Sequence, residues 1–300
     1  MSDADSATRR DVSTGSGLTR RRVVSATLGA VALSAASRRP EAQAQSPAAG
    51  ALRQSVCRWC YARTDLATLA AEAKRIGLAS VELLDPDEIA TVRAAGLTCA
   101  MVNSHPLWNG LADPKHHEAC LAAIRTGIDA AAEHGCPNVI TFSGNRRGIS
   151  EADGLEHSAQ ALAEIVPYAE QKGVTICMEL LNSRVDHPDY MCDRTRWGVD
   201  LVERVASPRF KLLYDIYHMQ IMEGDVIRTI RDHADAIGHY HTAGVPGRHE
   251  LDEDQELYYP AIVRAIVETG YTGFLGQEFI PRPDADPFAS LAHGVAVCTV

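Results

Sequence analysis

The chain has 300 residues and eight cysteines, 46% of its residues are hydrophobic, and its formal net charge is −10. A chain this acidic is a poor partner for polyanions, so a nucleic-acid-binding protein is disfavoured. After the first 44 residues no segment stays apolar over the about 20 residues that a spanning helix needs, so we expect no stable membrane insertion.

The first 44 residues are typical of a twin-arginine export signal. The run Thr19-Arg20-Arg21-Arg22-Val23-Val24 places paired arginines before a weakly apolar stretch, and Ala42-Gln43-Ala44 matches a small-residue cleavage site. We therefore expect export to the periplasm. Cleavage after residue 44 would remove seven Arg and four Asp or Glu, which changes the formal charge from −10 to −13 and leaves 256 residues. Residues 45–53 are interpreted as a short linker.

From residue 54 onward, short apolar runs alternate with amphipathic helical stretches. The predicted strands are 54–59, 80–84, 97–103, 138–142, 174–181, 210–217, 237–242 and 273–279. The predicted helices are 65–76, 117–134, 156–172, 195–206, 225–233 and 259–269. Eight strands alternating with helices over roughly 250 residues predict an α/β fold, a single-domain (β/α)₈ TIM barrel over residues 54–300. No glycine-rich nucleotide-binding motif follows a strand, which disfavours the doubly wound alternative.

Cys57 and Cys60 are the only closely spaced pair among the eight cysteines. Both fall in a strand-like run, where residues three apart face opposite sides. We therefore predict two core or wall residues rather than a zinc site. Export would permit disulfides, but the spacing does not indicate which pair would form.

Four polar residues stand near the ends of the last four predicted strands. They are Glu179, Asp215, His241 and Glu278, and they follow one another at intervals of 36, 26 and 37 residues. The mean βα unit of this chain is 32 residues, so all four can meet at the mouth of the barrel where the strands end. A buried carboxylate is costly unless it is paired or bound to a cation. The set therefore predicts a metal site.

Three carboxylates and one imidazole, without sulfur, suit one divalent ion of hard to borderline character. Mn²⁺, Mg²⁺ or Co²⁺ is favoured, and Zn²⁺ is allowed. Such an ion would polarise a carbonyl while Glu179 and Glu278 act as catalytic carboxylates that remove and return a proton. This chemistry, through a metal-bound enediolate, is that of ketose–aldose isomerases and of ketose epimerases.

Three further residues are predicted to bind substrate. His218 lies three residues after Asp215, and Arg248 follows the Pro246-Gly247 turn, where a guanidinium could hold a carboxylate. His105 follows the third predicted strand and is expected to line the pocket.

Four other polar residues are assigned supporting positions. His239 shares strand parity with His241 and is expected to pack below it. Glu82 is expected to support a metal ligand from a neighbouring strand. His249 and Glu250 are expected to shape the loop that carries the preceding arginine.

The chain resembles the hydroxypyruvate isomerase family of the xylose-isomerase-like TIM-barrel superfamily. The stretch "GHYHTAGVPGRHELDEDQELYYPAIVRAIVETGYTGFLGQEFIPR", residues 238–282, carries the resemblance most clearly, together with "MELLN" and "LLYDIYHMQ". The resemblance spans residues 54–282. It implies interconversion of hydroxypyruvate and tartronate semialdehyde, with Glu179 and Glu278 as catalytic and metal-binding carboxylates and Asp215 as a further metal ligand. It also implies that His218 and Arg248 contact the substrate.

Three other functions remain open from the sequence. His241 stands where hydroxypyruvate isomerases often have Gln and resembles the ketose 3-epimerases, so a keto-sugar epimerase or isomerase is the first alternative. An exported, non-catalytic, metal-dependent carbohydrate-binding protein is the second. A metal nuclease on the same barrel is disfavoured by the acidic charge. The expected partner is a small hydroxy-carbonyl compound or keto-sugar, and a homo-oligomer is neither indicated nor excluded.

Overall fold

A computed structural model describes residues 52–300, which form the barrel. Eight strands pair in parallel in the order β2-β1-β8-β7-β6-β5-β4-β3. Parallel bridges from Ser80 to Thr98 and from Leu84 to Val102 join the two ends of this order and nearly close the barrel. The strands are β1 Arg53–Cys57, β2 Ser80–Glu82, β3 Met101–Val102, β4 Asn138–Thr141, β5 Thr175–Glu179, β6 Phe210–Asp215, β7 Ile237–Thr242 and β8 Phe274–Gln277. The predicted (β/α)₈ fold is confirmed.

The helices surround the strands. They are α1 Leu66–Ile76, α2 Ile89–Ala94, α3 His117–His134, α4 Glu151–Lys172, α5 Thr195–Val205, α6 Ile216–Met222, α7 Val226–Asp232, α8 Tyr259–Glu268 and α9 Pro287–Val297. Three short 3₁₀ segments, Arg58–Tyr61, Pro114–His116 and Ala234–Ala236, complete the helical elements of the described residues. The α1 helix shows both of its end signals: Asp65 accepts from the backbone N–H of Thr68, and Gly77 ends the helix at φ 102°.

The sequence analysis missed three helices and made seven of the eight strands too long. It did not predict α2, α6 or α9. Strand β6 ends at Asp215 rather than at residue 217, because Asp215 caps α6 by accepting from the backbone N–H of His218 at 3.1 Å. Strand β1 ends at Cys57, so Trp59, the last residue of the predicted strand, lies with Cys60 in a 3₁₀ turn.

The barrel interior divides into an apolar floor and a polar mouth. Its floor is a small buried cluster of inward-facing side chains from six strands or strand ends: Cys57, Leu83, Met101, Ile140, Cys177 and Leu213. The larger apolar cluster lies mainly between the strands and the helices. The polar residues near the strands' carboxyl ends meet at the mouth of the barrel, beside this cluster.

The export-signal prediction and nearly all of the predicted linker lie outside the described residues, although Arg53 of that linker already belongs to β1. Within residues 52–300, no helix combines the length and the apolar character needed to cross a membrane.

Candidate metal and proton-transfer site

The structure brings the four predicted metal ligands together. Glu179 and Asp215 are the last residues of β5 and β6, His241 is the penultimate residue of β7, and Glu278 directly follows β8. Each offers one ligand atom, and these four atoms all lie within 4.8 Å of one another. All four side chains are buried. The mouth of the barrel therefore carries a compact set of three carboxylates and one imidazole.

Unsatisfied oxygens show that this set fits a cation. Oε1 of Glu179 and Oδ2 of Asp215 are buried without a hydrogen-bond partner in the structure. Buried acceptors without a donor are destabilising, and a bound divalent ion would satisfy both. Hard oxygen donors with one imidazole nitrogen are ligands that Mn²⁺, Mg²⁺ and Co²⁺ accept. The donor set thus agrees with the predicted ion class.

Glu82 orients the histidine of this set. Its Oε1 lies 2.6 Å from Nε2 of His241 and 2.8 Å from Nε2 of His239, and all three side chains are fully buried. If Glu82 accepts the Nε2 proton of a neutral His241, Nδ1 keeps its lone pair. That nitrogen faces the carboxylates, 3.1 Å from Glu278 Oε2 and 3.6 Å from Glu179 Oε1. A carboxylate behind a metal-binding histidine is a common supporting arrangement.

Gly276 on β8 has no side chain, which leaves the space that Glu82 and His241 occupy. A Cβ atom at this position would lie 2.6 Å from Glu82 Oε1 and 2.7 Å from His241 Cδ2, both too close for real contacts. The sequence analysis did not identify this glycine. The only feature of the sequence that points to it is its position two residues before Glu278 in "GFLGQEF".

The two glutamates of the set are held differently. Glu278 accepts from Trp59 Nε1 at 2.8 Å and from Arg248 Nη2 at 2.7 Å. Burial would raise the pKa of Glu278, but the charges of His241 and Arg248 outweigh burial and hold that pKa well below its usual range. Burial, and then the charge of Glu278, raise the pKa of Glu179. Glu278 is therefore the stronger acid and Glu179 the stronger base of the two.

Arg248 lies over the site instead of in solvent. Its side chain is 13% exposed, and its guanidinium lies 4.9 Å from the Trp59 ring and 5.4 Å from the Tyr217 ring. Nη2 also lies 3.7 Å from Asp215 Oδ2, while Nε is buried without a partner. Arg248 thus offsets part of the carboxylate charge and keeps one unused donor.

His218 carries a donor that faces Asp215, and Asn182 determines which of its ring nitrogens holds the proton. Asn182 Oδ1 accepts from the backbone N–H groups of Val185 and Asp186 at 3.0 and 2.9 Å, which identifies Nδ2 as the donor side of the amide. Asn182 Nδ2 lies 2.7 Å from His218 Nδ1, so Nδ1 accepts and the proton of a neutral ring is on Nε2. Nε2 is buried, lacks a partner and lies 3.7 Å from Asp215 Oδ2.

His105 has a different environment from the one predicted. Its Nδ1 lies 2.9 Å from the carbonyl oxygen of Asn109, and its Nε2 lies 2.9 Å from Thr141 Oγ1. It is not among the residues that line the cavity over the site. Both ring nitrogens are engaged by the protein, so the structure gives His105 a loop-anchoring position.

The loop after β7 is fixed by the residues assigned to it. His249 Nδ1 lies 2.8 Å from the carbonyl oxygen of Ile280. Glu250 accepts from the backbone N–H of Arg282 at 2.9 Å and from its guanidinium at 3.1 Å. These contacts tie the loop that carries Arg248 to the segment that follows Glu278.

A cavity of about 520 Å³ opens above the site. Of the four clustered residues only Glu179 and Glu278 line it, beside Arg248 and His187. The opposite part of its lining is largely apolar: Trp59, Leu83, Leu107, Ile140, Phe142 and Ile280. The two glutamates are thus the members of the set that a ligand in the cavity can reach.

The chain is similar to known proteins in sequence and in fold. The family model described as "Xylose isomerase-like TIM barrel" matches residues 70–297. The chain belongs to this family. A 2-oxo-tetronate isomerase of Cupriavidus necator is 35% identical over 229 residues, which cover 71% of this chain and 86% of that protein.

A "Putative hydroxypyruvate isomerase" of Homo sapiens is 30% identical over 223 residues, covering 66% of this chain and 76% of that protein. The crystal structure of an AP endonuclease, family 2, from Brucella melitensis superposes with a TM-score of 0.71 at 26% identity, covering 80% of this chain and 97% of that one. The two isomerase relatives identify this family member as an isomerase.

Proposed function

We propose that this isomerase interconverts hydroxypyruvate and tartronate semialdehyde, or a closely similar small hydroxy-carbonyl acid. The observation that carries the proposal is that Glu179 and Glu278 belong to one buried cluster and both line the cavity. Two carboxylates of different basicity beside one ligand can move a proton between adjacent carbons. The names of the two relatives support a substrate of this class.

The site would hold one divalent ion through Glu179, Asp215, His241 and Glu278. When bound, the ion supplies Lewis-acid polarisation of the substrate carbonyl and lowers the cost of gathering three carboxylates. Mn²⁺, Mg²⁺ or Co²⁺ is the proposed ion, with Zn²⁺ allowed by the same donor set.

In the proposed reaction Glu179 removes the proton. Glu179 lines the cavity and is the stronger base of the two glutamates, so a carboxylate oxygen that does not hold the ion can accept a proton from the carbon next to the carbonyl. Glu179 then returns this proton to the neighbouring carbon of the enediolate, which gives the isomer and restores the Glu179 carboxylate. Glu278 accepts from Trp59 and Arg248 and is the weaker base, so it stays ionised and keeps these two side chains in place during the transfer.

Two unpaired donors lie beside the carboxylate cluster; Arg248 lines the cavity, whereas His218 is fully buried and is not among the lining residues. His218 Nε2 and Arg248 Nε are both buried without partners, and both belong to residues that contact the carboxylate cluster. We propose that Arg248 binds the substrate carboxylate and that His218 binds a hydroxyl or carbonyl oxygen.

Solvent-proton exchange tests the function. The metal-loaded enzyme should incorporate deuterium from heavy water into hydroxypyruvate or a related 2-oxo acid, and NMR should detect the labelled carbon. Glu179→Gln should reduce this exchange by about 100-fold or more, since it removes the base. Full exchange by Glu179→Gln with the ion still bound would remove the proposed mechanism.

An epimerase or isomerase of a keto-sugar is the second candidate. The cavity of about 520 Å³ has room for more than a three-carbon acid, since cavities of about 300–1,000 Å³ hold drug-sized ligands. Arg248→Ala separates the candidates. A carboxylate substrate should lose kcat/KM by 100-fold or more (about 3 kcal/mol), and a neutral keto-sugar should lose much less.

We also propose that the enzyme works outside the cytoplasm after export through the twin-arginine pathway. The paired arginines and the small-residue motif of the first 44 residues support this localisation.

A further inference from the structure

Two buried cysteines, Cys99 and Cys136, precede β3 and β4 at the amino-terminal ends of these strands, away from the proposed active site. The parallel register of β3 and β4 pairs Met101 with Asn138 and Val102 with Val139. Two residues earlier on each chain segment, the same register sets Cys99 opposite Cys136. Both cysteines share the strand parity of inward-facing residues and are buried, with 1% and 4% of their surface exposed.

The backbone around each cysteine is fixed by hydrogen bonds. The N–H of Ala100 donates to Ser80 Oγ at 2.8 Å, and the N–H of Cys136 donates to the carbonyl oxygen of Ala131 at 2.8 Å. The side chain of Asn138 donates to the carbonyl oxygen of Ala100 at 3.0 Å, which connects the two segments between the cysteines. The register pairs begin at Met101 and Asn138, and the contact of Asn138 with Ala100 extends the connection between the two segments toward the cysteines.

The separation suits a covalent link. Neighbouring strands lie about 4.7–4.9 Å apart, within the Cα–Cα range of about 4.4–6.8 Å that disulfides span. Both thiols are unlinked in the structure, and Cys99 Sγ lies 3.1 Å from the carbonyl oxygen of Met101. Each thiol influences the other: Cys136, ahead of burial, raises the pKa of Cys99, and Cys99 lowers the pKa of Cys136 against the effect of burial.

We propose that Cys99 and Cys136 are a disulfide-forming pair that links β3 to β4 when the chain meets a disulfide oxidant. The thiolate of Cys136 attacks one sulfur of the oxidant and releases a thiolate. The thiolate of Cys99 then attacks the mixed disulfide, forms the Cys99–Cys136 bond and releases the second thiolate. Two protons leave the protein, and the oxidant disulfide is reduced to two thiols.

The link would strengthen the weakest part of the barrel wall. Strand β3 has only two residues, it shares only two register pairs with β4, and isolated bridges alone join its segment to the β2 segment. A disulfide here closes a loop that contains the whole of α3. Cross-linking such a loop restricts the unfolded chain and stabilises the fold.

Controlled oxidation tests the pair. The full chain is refolded with and without oxidised glutathione, denatured, alkylated and analysed by peptide mass mapping. We expect six of the eight cysteines to be alkylated after oxidation, with one linked peptide that joins Cys99 to Cys136. The oxidised protein should melt roughly 5–10 °C higher than the reduced protein.

Serine variants provide the controls. Cys99→Ser and Cys136→Ser should each lose the linked peptide and the oxidation-dependent rise in Tm. Cys120→Ser, a buried cysteine of α3, should keep both. Alkylation of all eight cysteines after oxidation, or a link between other cysteines, would overturn the proposal. Neither outcome bears on the isomerase function, because the pair lies outside the carboxylate cluster.

Discussion

His241 Nε2 lies 2.6 Å from Glu82 Oε1, and the opposite nitrogen of the same ring lies 3.1 Å from Glu278 Oε2. The imidazole therefore connects Glu82, which is not one of the four clustered residues, with Glu278, which is. Because Glu82 is fully buried and its Oε1 also contacts His239, it can hold the ring in one orientation. Orientation of a ligand before binding reduces the cost of binding the ion.

Replacing Glu82 tests this relationship. Glu82→Gln keeps the size of the side chain but removes its charge, and its amide can present a donor to the histidine. We expect the affinity for Mn²⁺ to fall by about 10–100-fold, measured by isothermal titration calorimetry. Glu118→Gln, on the surface of α3, is the matched control and should bind as the wild type does. Equal affinities for all three proteins would show that Glu82 has no part in binding.

The fold and the clustering of four polar side chains could be predicted from the sequence, but much of their surroundings could not. Glu179, Asp215, His241 and Glu278 were predictable because one residue per βα unit must reach the same end of a parallel barrel. Asn182 and Trp59 could not be predicted as site residues, because segments between the regular elements position them and such segments have no periodic pattern in the sequence. Helix α6 was missed because its residues continue the apolar run of β6, and only the cap at Asp215 marks the change.

Ion binding should stabilise the fold. Three carboxylates share a small buried volume with Arg248 as their permanent counter-charge, so their mutual repulsion is relieved by a divalent ion. Saturation at about 100 times Kd adds about 2.7 kcal/mol to the free energy of unfolding, or roughly 5–10 °C in Tm. Differential scanning fluorimetry after chelation and after Mn²⁺ addition measures the shift. Asp215→Asn should show a much smaller shift, and an equally large one would argue against this site.

The tautomer of His218 depends on Asn182. Asn182→Asp keeps an acceptor for the N–H groups of Val185 and Asp186 but offers His218 Nδ1 only acceptors. The neutral ring should then carry its proton on Nδ1, and kcat should fall by about 10–100-fold because the Nε2 donor is lost. Nitrogen-15 NMR of the histidine rings reports the tautomer directly. Asn145→Asp, outside the cavity lining, should leave both readouts unchanged; an unaltered His218 spectrum in Asn182→Asp would contradict the assignment.

His105 should contribute to acid sensitivity rather than to catalysis. Burial lowers its pKa in the folded protein, so the unfolded chain binds more protons once the pH falls below about 6.5. The contribution of neutral His105 to the free energy of unfolding is therefore complete above about pH 6.5 and is lost as the pH falls through the pKa of His105 in the folded protein. In urea unfolding, His105→Gln should show a smaller loss of stability between neutral and acidic pH than the wild type. Its KM should be unchanged, and a large rise in KM would instead support a substrate contact.

Export should depend on the paired arginines near the N-terminus. The twin-arginine pathway reads the arginine pair as an address, so Arg20→Lys with Arg21→Lys keeps the charge but should remove recognition. In a bacterial host with this pathway, the wild-type chain should accumulate in the periplasmic fraction and the double variant in the cytoplasmic fraction. Arg9→Lys with Arg10→Lys is the matched control, since it changes the same residue types upstream of the motif. Equal periplasmic amounts of the wild type and both double variants would exclude this pathway as the route of export.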